Sequence, residues 1–192
     1  MTGCMLYGIV INTRESSLAE EMRRLSLKEL KNPSIVVSRK NYTLDLYEDT
    51  LLVKSYHPVF GSNSRAKQVA DDMATPFGEY VICELDSSNI YYKFYKINYP
   101  NLDDLRSAFH HSIISQREYN EIRYLADINQ APRADSKLGG NIGIHGIGRL
   151  NFLLKNLPFV FNWTDGSIAV SNESLDELSP YLYKGTRVVI KE

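Results

Sequence analysis

The sequence predicts a mainly β domain with α-helices at its periphery. Short runs of alternating apolar and polar side chains recur between residues 34 and 97, and polar turns separate them. Helix-capping sequences near the start and in the middle of the chain predict helices outside those runs. The 192 residues, 43% of them hydrophobic, supply enough apolar surface for one sizeable core. We therefore expect one domain.

The first predicted helix lies near the start of the chain. Ser17 and Glu20 have the spacing of a capping box, in which each side chain bonds to the backbone N–H of the other residue. Apolar residues then recur at helical spacing, at positions 18, 22, 25 and 30. The sequence predicts a helix over residues 17–31, and Pro33 ends it because proline cannot continue the backbone hydrogen bonding.

A meander of β-strands is predicted after Pro33. The runs that predict strands share short alternation of apolar with polar side chains and lie at residues 35–37, 44–47, 52–56, 80–84 and 91–97. The last two runs, with a turn at residues 86–89 between them, predict a hairpin. Residues 61–75 are polar and weakly periodic, which predicts a loop with at most one helical turn.

Two helices are predicted as an insertion between strands. Asn101 can cap a helix that runs to about His110, and Ser115 with Glu118 forms a further capping box. Apolar residues at positions 119, 122, 125 and 126 form one stripe of the second helix. Residues 129–140 are rich in Pro, Asp, Ser and Gly, which predicts an exposed loop before a strand at 142–145.

Composition excludes several classes of function. Lys and Arg total 22 against 23 Asp and Glu, so the net charge of −1 gives no field for holding nucleic acid or an anionic membrane. No run of 18 apolar residues is present to span a bilayer. The two cysteines, Cys4 and Cys83, lack metal-ligand spacing and cannot form a disulfide framework. We expect neither a cofactor nor a metal, and no nucleic-acid partner.

The most informative segments are residues 139–148, Gly-Gly-Asn-Ile-Gly-Ile-His-Gly-Ile-Gly, and 163–172, Trp-Thr-Asp-Gly-Ser-Ile-Ala-Val-Ser-Asn. They resemble the active-site signature of the L,D-transpeptidase (YkuD-like) family, in which an Ile-His-Gly stretch precedes a Ser/Thr-His-Gly-Cys core. Ser167 stands at the cysteine position, and Asp165 stands where the core has its histidine. A branch of the family looks like Trp-Thr-x-Gly-Cys-Ile-Ala and also lacks that histidine.

Further blocks carry the resemblance from Ser34 to Ile190, in the order typical of the family. They are an opening hairpin at 35–49, a Thr-Pro-x-Gly-x-Tyr segment at 75–80, Tyr-Pro-Asn-x-x-Asp at 99–104 and Gly-Thr-Arg-Val-Val-Ile at 185–190. The resemblance implies a β-sandwich with peripheral helices. It also implies a catalytic domain at residues 34–192, after an N-terminal segment and helix at 1–33.

The resemblance implies roles for seven residues. His145 would be the general base, Ser167 would occupy the nucleophile position, and the amides of Gly166 and residue 167 would stabilise an oxyanion. The base would be oriented by a main-chain carbonyl, which the sequence does not identify. Substrate-binding positions would be Thr164, Asp165, Gly146 and Arg149. Each has a structural alternative: a packed strand histidine, turn residues, or a surface arginine.

By resemblance, an active enzyme would attack the third stem residue of a peptidoglycan tetrapeptide, expel the terminal D-alanine and hold an acyl-thioester. A neighbouring stem amine would resolve the thioester to a 3-3 cross-link, whereas water would give L,D-carboxypeptidase activity. Because an alcohol needs a stronger base than a thiol does, we expect the Ser167 form to be nearly inactive.

Three interpretations of Ser167 stay open. The chain is a Cys-to-Ser form of an active enzyme, a natural pseudoenzyme that binds peptidoglycan, or a serine hydrolase using His145. The first is favoured because His145, Gly166 and Thr164 are retained, and the last lacks a G-x-S-x-G elbow.

The family resemblance also implies a place in the periplasm or cell envelope. The sequence offers a weaker signal of its own, because Met1 to Cys4 resemble a lipobox. The basic and apolar regions of an export signal do not precede it, so we read this likeness as chance or as the remnant of a trimmed signal.

Overall fold

A computed structural model describes residues 16–86, 90–128, 130, 135–151 and 161–192. The strands are β1 Pro33–Ser38, β2 Thr43–Glu48, β3 Leu51–Tyr56, β4 Gly78–Asp86, β5 Phe94–Ile97, β6 Gly143–Gly146, β7 Ile168–Val170 and β8 Arg187–Lys191. The α-helices are α1 Leu18–Arg24, α2 Leu102–His110, α3 Gln116–Asp127 and α4 Asn172–Leu178, and 3-10 turns occupy Gly148–Leu150 and Ser179–Tyr181.

The strands form one curled sheet in the order β3-β2-β1-β8-β4-β5-β6-β7. Most neighbours are antiparallel, but β1 pairs with β8 and β6 pairs with β7 in parallel. The alternation read from the sequence sets the inner face, as Ile35 and Val37 of β1 show: both are fully buried and flanked by partly exposed residues. The predicted mainly β fold with peripheral helices is confirmed.

The first helix ends earlier than predicted. Ser17 caps it through the expected box with Glu20, but α1 stops at Arg24 instead of residue 31. Ser26 takes a positive φ of 57°, while Leu27 N–H donates to the Met22 carbonyl. This pattern terminates a helix, because a left-handed residue turns the chain back over the last carbonyls.

The insertion follows the prediction closely. Asn101 caps α2 and Ser115 caps α3, each with a complete capping box. The helices bury a small core of their own, formed by Leu105, Ala108, Ile114, Ile122, Ala126 and Leu138. The segment 61–75 contains no helical turn and instead forms isolated bridges to Thr164 and within itself.

Strand β5 is shorter than the predicted run at 91–97. Residues 90–93 turn, with Lys93 N–H donating to the Tyr91 carbonyl and Tyr92 at φ 75°. The lipobox-like start, residues 87–89 of the predicted hairpin turn and part of the 129–140 loop lie outside the described residues. Among the helices that the structure describes, none is long and apolar enough to cross a membrane.

Parallel pairing of β6 with β7 positions the two signature segments. In their register Ile144 faces Ile168 and His145 faces Ala169. Position 167 therefore lies beside Gly143, two residues before His145, at the same end of the two strands. The two segments that are remote in sequence meet here because adjacent parallel strands start at the same end.

Candidate active site

A tight turn holds position 167 immediately before β7. The Thr164 hydroxyl donates to the Ser167 carbonyl at 2.6 Å and accepts from Gly166 N–H at 3.3 Å. Gly166 has a φ of +121°, and a Cβ there would lie 2.7 Å from the Ala74 carbonyl oxygen. Only glycine fits this position. The Thr164 hydroxyl is thus engaged within the turn, where it shapes the Gly166 and Ser167 backbone.

The Ser167 side chain is buried, at 8% exposure, and accepts a hydrogen bond at its Oγ from Gly143 N–H at 3.2 Å. This contact follows directly from the β6–β7 register. Because the Gly143 N–H points at the terminal atom of the residue 167 side chain, it can stabilise negative charge on that side-chain atom. The site therefore offers electrostatic support for a thiolate at this position.

His145 lies in the middle of β6 and is 2% exposed. Its Nδ1 lies 2.7 Å from the Gly146 carbonyl oxygen. Because a carbonyl can only accept, Nδ1 carries the proton, and Nε2 is left with a lone pair. The orienting carbonyl that the sequence did not identify is therefore that of Gly146.

Burial lowers the pKa of His145 to about 4, although the bond to Gly146 acts in the opposite direction. Aromatic rings surround the imidazole. The ring centroids of Tyr91, Phe94 and Trp163 lie 4.6, 5.7 and 6.1 Å from that of His145. His145 is thus neutral at pH 7, in the state that can accept a proton.

A cavity of about 270 Å³ opens over these groups. Four predicted site residues line it: His145, Thr164, Asp165 and Ser167. The remaining wall consists of Lys67, Asp71, Tyr91, Phe94, Gly139, Gly140, Asn141, Ile142 and Trp163. The sequence motifs thus converge on one concave site, as a binding site for a small ligand requires.

Three predicted residues do not line this cavity. Gly166 lies behind the wall in the turn, and Gly146 contributes its carbonyl to His145. Arg149 is exposed on a 3-10 turn. Its proposed contact with a substrate carboxylate stays a prediction.

In the described part of the chain, no hydrogen bond joins the His145 ring to the Ser167 hydroxyl. The hydroxyl accepts from Gly143 instead. Both side chains line the same cavity from neighbouring strands. Catalytic hydrogen bonds are often long in a ligand-free enzyme and tighten when substrate binds.

The loop at 61–75 supports the turn from outside. Asp72 accepts from the backbone N–H groups of Gln68, Val69 and Ala74 and from Lys67 Nζ. The Lys67 side chain is only 3% exposed. Through Ala74, whose carbonyl packs on Gly166, this loop fixes the turn that holds residue 167.

Sequence reasoning missed the groups that other elements supply, namely Lys67, Asp71, Tyr91, Phe94 and the Gly143 amide. The contact of Gly143 with residue 167 could have been predicted, because a parallel pairing of the two motif strands places these two residues side by side. Among the described residues, no cluster of three or more His, Cys, Asp or Glu side chains forms a metal-binding arrangement.

Residues 32–190 match the model of the YkuD family, described as the L,D-transpeptidase catalytic domain. A comparison with curated proteins finds no match. A mutant form of the helical cell shape determining protein Pgp2 from Campylobacter jejuni is similar in structure, with a TM-score of 0.54, 20% identity and coverage of 85% of this chain and 49% of that one. Bd1075 from Bdellovibrio bacteriovorus is similar as well, with a TM-score of 0.51, 19% identity and coverage of 84% of this chain and 48% of that one.

This chain spans about half the length of those two proteins. Their low identities show a shared fold alone. The family match carries more weight, because it extends over most of the chain and includes both motif segments. The chain belongs to the YkuD family of L,D-transpeptidase catalytic domains.

Proposed function

We propose that this domain binds peptidoglycan stem peptides in the His145–Ser167 cavity and that its site is built for L,D-transpeptidase chemistry with a thiol at position 167. One observation carries the proposal. His145 is buried, neutral and oriented through Nδ1 by the Gly146 carbonyl, beside a glycine turn that presents residue 167. A structural histidine has no need for a free Nε2 in the wall of a cavity shared with residue 167.

With cysteine at position 167, His145 Nε2 would take the thiol proton as sulfur attacks the carbonyl of the third stem residue. The amide of residue 167 would stabilise the oxyanion, and the Gly166 amide would join it by exchanging its 3.3 Å bond to the Thr164 hydroxyl for the oxyanion. Collapse would expel D-alanine, whose amine would take the proton back from His145. An amine of a second stem would then displace sulfur and form a 3-3 cross-link, whereas water would give the carboxypeptidase product.

Serine interrupts this sequence at its first step. An alcohol requires a strong base, and His145, with a pKa of about 4, is a weak one. The serine-hydrolase interpretation has the least support, because the sequence around Ser167 lacks a G-x-S-x-G elbow. The Ser167 form would therefore hold stem peptides without efficient acyl transfer, as an inactivated enzyme or a natural binding module. A domain with this ligand would act in the cell envelope.

The test is the substitution Ser167→Cys, assayed with disaccharide tetrapeptides. Mass spectrometry should show release of D-alanine and an acylated protein that has gained the mass of the shortened stem. Ser167→Ala and Ser167→Cys combined with His145→Gln serve as matched controls and should release none. A folded Ser167→Cys protein that neither acylates nor releases D-alanine with several stems would refute the transpeptidase proposal.

Binding by the serine form needs its own measurement. Titration with a tetrapeptide stem should shift the amide resonances of Gly143, Gly166 and Ser167 at millimolar ligand. Weak affinity is expected, because a site complementary to a transition state holds the ground state loosely. Shifts confined to a remote face would remove the binding-module interpretation as well.

A further inference from the structure

Tyr91 belongs to neither signature segment, yet its ring lies against the imidazole of His145. The two centroids are 4.6 Å apart at an interplanar angle of 44°, a closer contact than that of Phe94 or Trp163. Tyr91 also lines the cavity. It comes from the β4–β5 connection, so the sheet brings it to the site independently of the motifs.

Two restraints hold the turn that carries Tyr91. On one side its main chain packs against the end of β6. A Cβ at Gly146 would lie 3.1 Å from the Tyr91 carbonyl oxygen, and one at Gly148 would lie 2.6 Å from that of Ile90. A side chain at Gly148 would collide with this turn, and one at Gly146 would force its backbone to shift by a few tenths of an ångström.

On the other side, Asp176 of α4 holds the same turn. Its carboxylate accepts from the Tyr92 hydroxyl at 2.9 Å and from Lys93 Nζ at 2.6 Å. Packing against the end of β6 and hydrogen bonds to Asp176 thus fix the backbone around Tyr91. A ring anchored in this way has little freedom to leave His145.

The imidazole itself has one hydrogen bond within the described structure, from Nδ1 to Gly146. This bond fixes the tautomer only while the ring stays in place, so ring packing must hold the imidazole against rotation. Phe94 stacks nearly parallel to the imidazole, at 12°, and Tyr91 crosses it at 44°.

We propose that Tyr91 is a positioning residue for His145, which keeps Nδ1 on the Gly146 carbonyl and leaves Nε2 for the residue at position 167. This inference rests on the proposed function in taking His145 as the base. It assigns Tyr91 no contact with the reacting atoms. The charged groups on the same cavity wall, Lys67, Asp71 and Asp165, stay unchanged in the test.

The first measurement needs no activity. The ring nitrogens of His145 in the Ser167 protein should report a single Nδ1–H tautomer by ¹⁵N NMR. Tyr91→Ala should give a tautomer mixture and raise the pKa of His145 by about one unit, because water reaches the ring. Tyr91→Phe should preserve both the single tautomer and the pKa of His145. Tyr124→Ala is the control, because it removes an exposed aromatic ring on α3, and it should change neither property.

An unchanged tautomer and pKa in Tyr91→Ala would overturn the proposal, as would a Phe variant that behaves like the Ala variant. Should Tyr91→Ala fail to fold, Asp176→Asn provides a second route, because it loosens the turn without touching the ring. It should shift the His145 resonances in the same direction by a smaller amount. No shift in a folded Asp176→Asn protein would contradict the anchoring role.

The second measurement uses the Ser167→Cys background. There Tyr91→Ala should lower kcat about tenfold or more while KM changes less than about threefold, because misorientation of a base affects the chemical step. A raised KM with unchanged kcat would assign Tyr91 to substrate binding and refute the positioning role. If Ser167→Cys alone is inactive, the proposed function fails, and the NMR result still decides the role of Tyr91.

Discussion

At the scale of single residues, Gly166 shows how backbone conformation limits the site. Its φ of +121° and the carbonyl of Ala74 both exclude a side chain. Gly166→Ala should lower the free energy of unfolding by about 3 kcal/mol, because strain and collision add. Gly185→Ala is a matched control. Gly185 has a φ of +97° with nothing within 4 Å of its Cβ position, so strain alone should cost about 1 kcal/mol.

Urea denaturation of the two alanine variants measures the difference. Equal losses of unfolding free energy would show that the Ala74 carbonyl moves aside easily and that the 61–75 loop does not fix the turn at Gly166. In the Ser167→Cys background, Gly166→Ala should also abolish acylation, since the displaced amide no longer meets the oxyanion.

The sequence could predict residues of this site only where the chemistry lies within a motif. His145, Thr164 and Ser167 follow from two short segments, and all three line the cavity. Tyr91 could not be found, because its contact with His145 depends on the shape of the 90–93 turn. Thr164 illustrates a second limit, because the sequence shows a hydroxyl but not that it donates to the Ser167 carbonyl within the turn. Its contact with substrate stays a prediction.

At the scale of elements, the 61–75 loop has a structure of its own although it lacks helix and strand periodicity. Asp72 organises it by accepting three backbone N–H groups and Lys67 Nζ. Asp72→Asn removes the carboxylate beside a lysine whose side chain is 3% exposed. We expect a loss of about 2–3 kcal/mol in the free energy of unfolding, typical of lost hydrogen bonds to a charged group.

Glu121→Gln is the matched control, because it breaks the Arg117–Glu121 pair, which is 88% and 58% exposed. It should change stability by less than about 0.5 kcal/mol. Hydrogen exchange at Ala74 and Asn63 should accelerate in Asp72→Asn alone. Equal effects of the two substitutions on stability and exchange would show that the loop does not depend on Asp72.

Element boundaries mark where local patterns stop being informative. The helix caps at Ser17, Asn101 and Ser115 were predicted and are present, because a cap depends on four consecutive residues. The end of α1 was wrong by seven residues, since apolar residues up to Leu30 still pack on the core after the helix has ended. Burial, not helical structure, explains their spacing.

At the scale of the whole molecule, two buried groups oppose each other in the dependence of stability on pH. Burial lowers the pKa of His145 from 6.5 to about 4. Between these values the unfolded chain binds a proton that the folded chain does not, so acidification destabilises the fold. Burial raises the pKa of Asp104 from 3.8 to about 6. Between these values the folded chain holds the extra proton, so acidification stabilises the fold.

The two effects nearly cancel between pH 4 and 6, and single substitutions should separate them. In Asp104→Asn, the free energy of unfolding should fall on acidification from pH 6.5 to 4, by about 3 kcal/mol relative to the unsubstituted chain. In His145→Gln it should rise by a similar amount, since each group contributes about 1.4 kcal/mol per pH unit. The double variant should follow the unsubstituted chain.

Urea unfolding at half-unit steps of pH measures the stability curves of all four proteins. The contributions of the other carboxylates cancel in the comparison, because all four proteins contain them. Parallel curves for the two single variants would show that His145 and Asp104 titrate alike in the folded and unfolded states, and hence that burial does not keep His145 neutral.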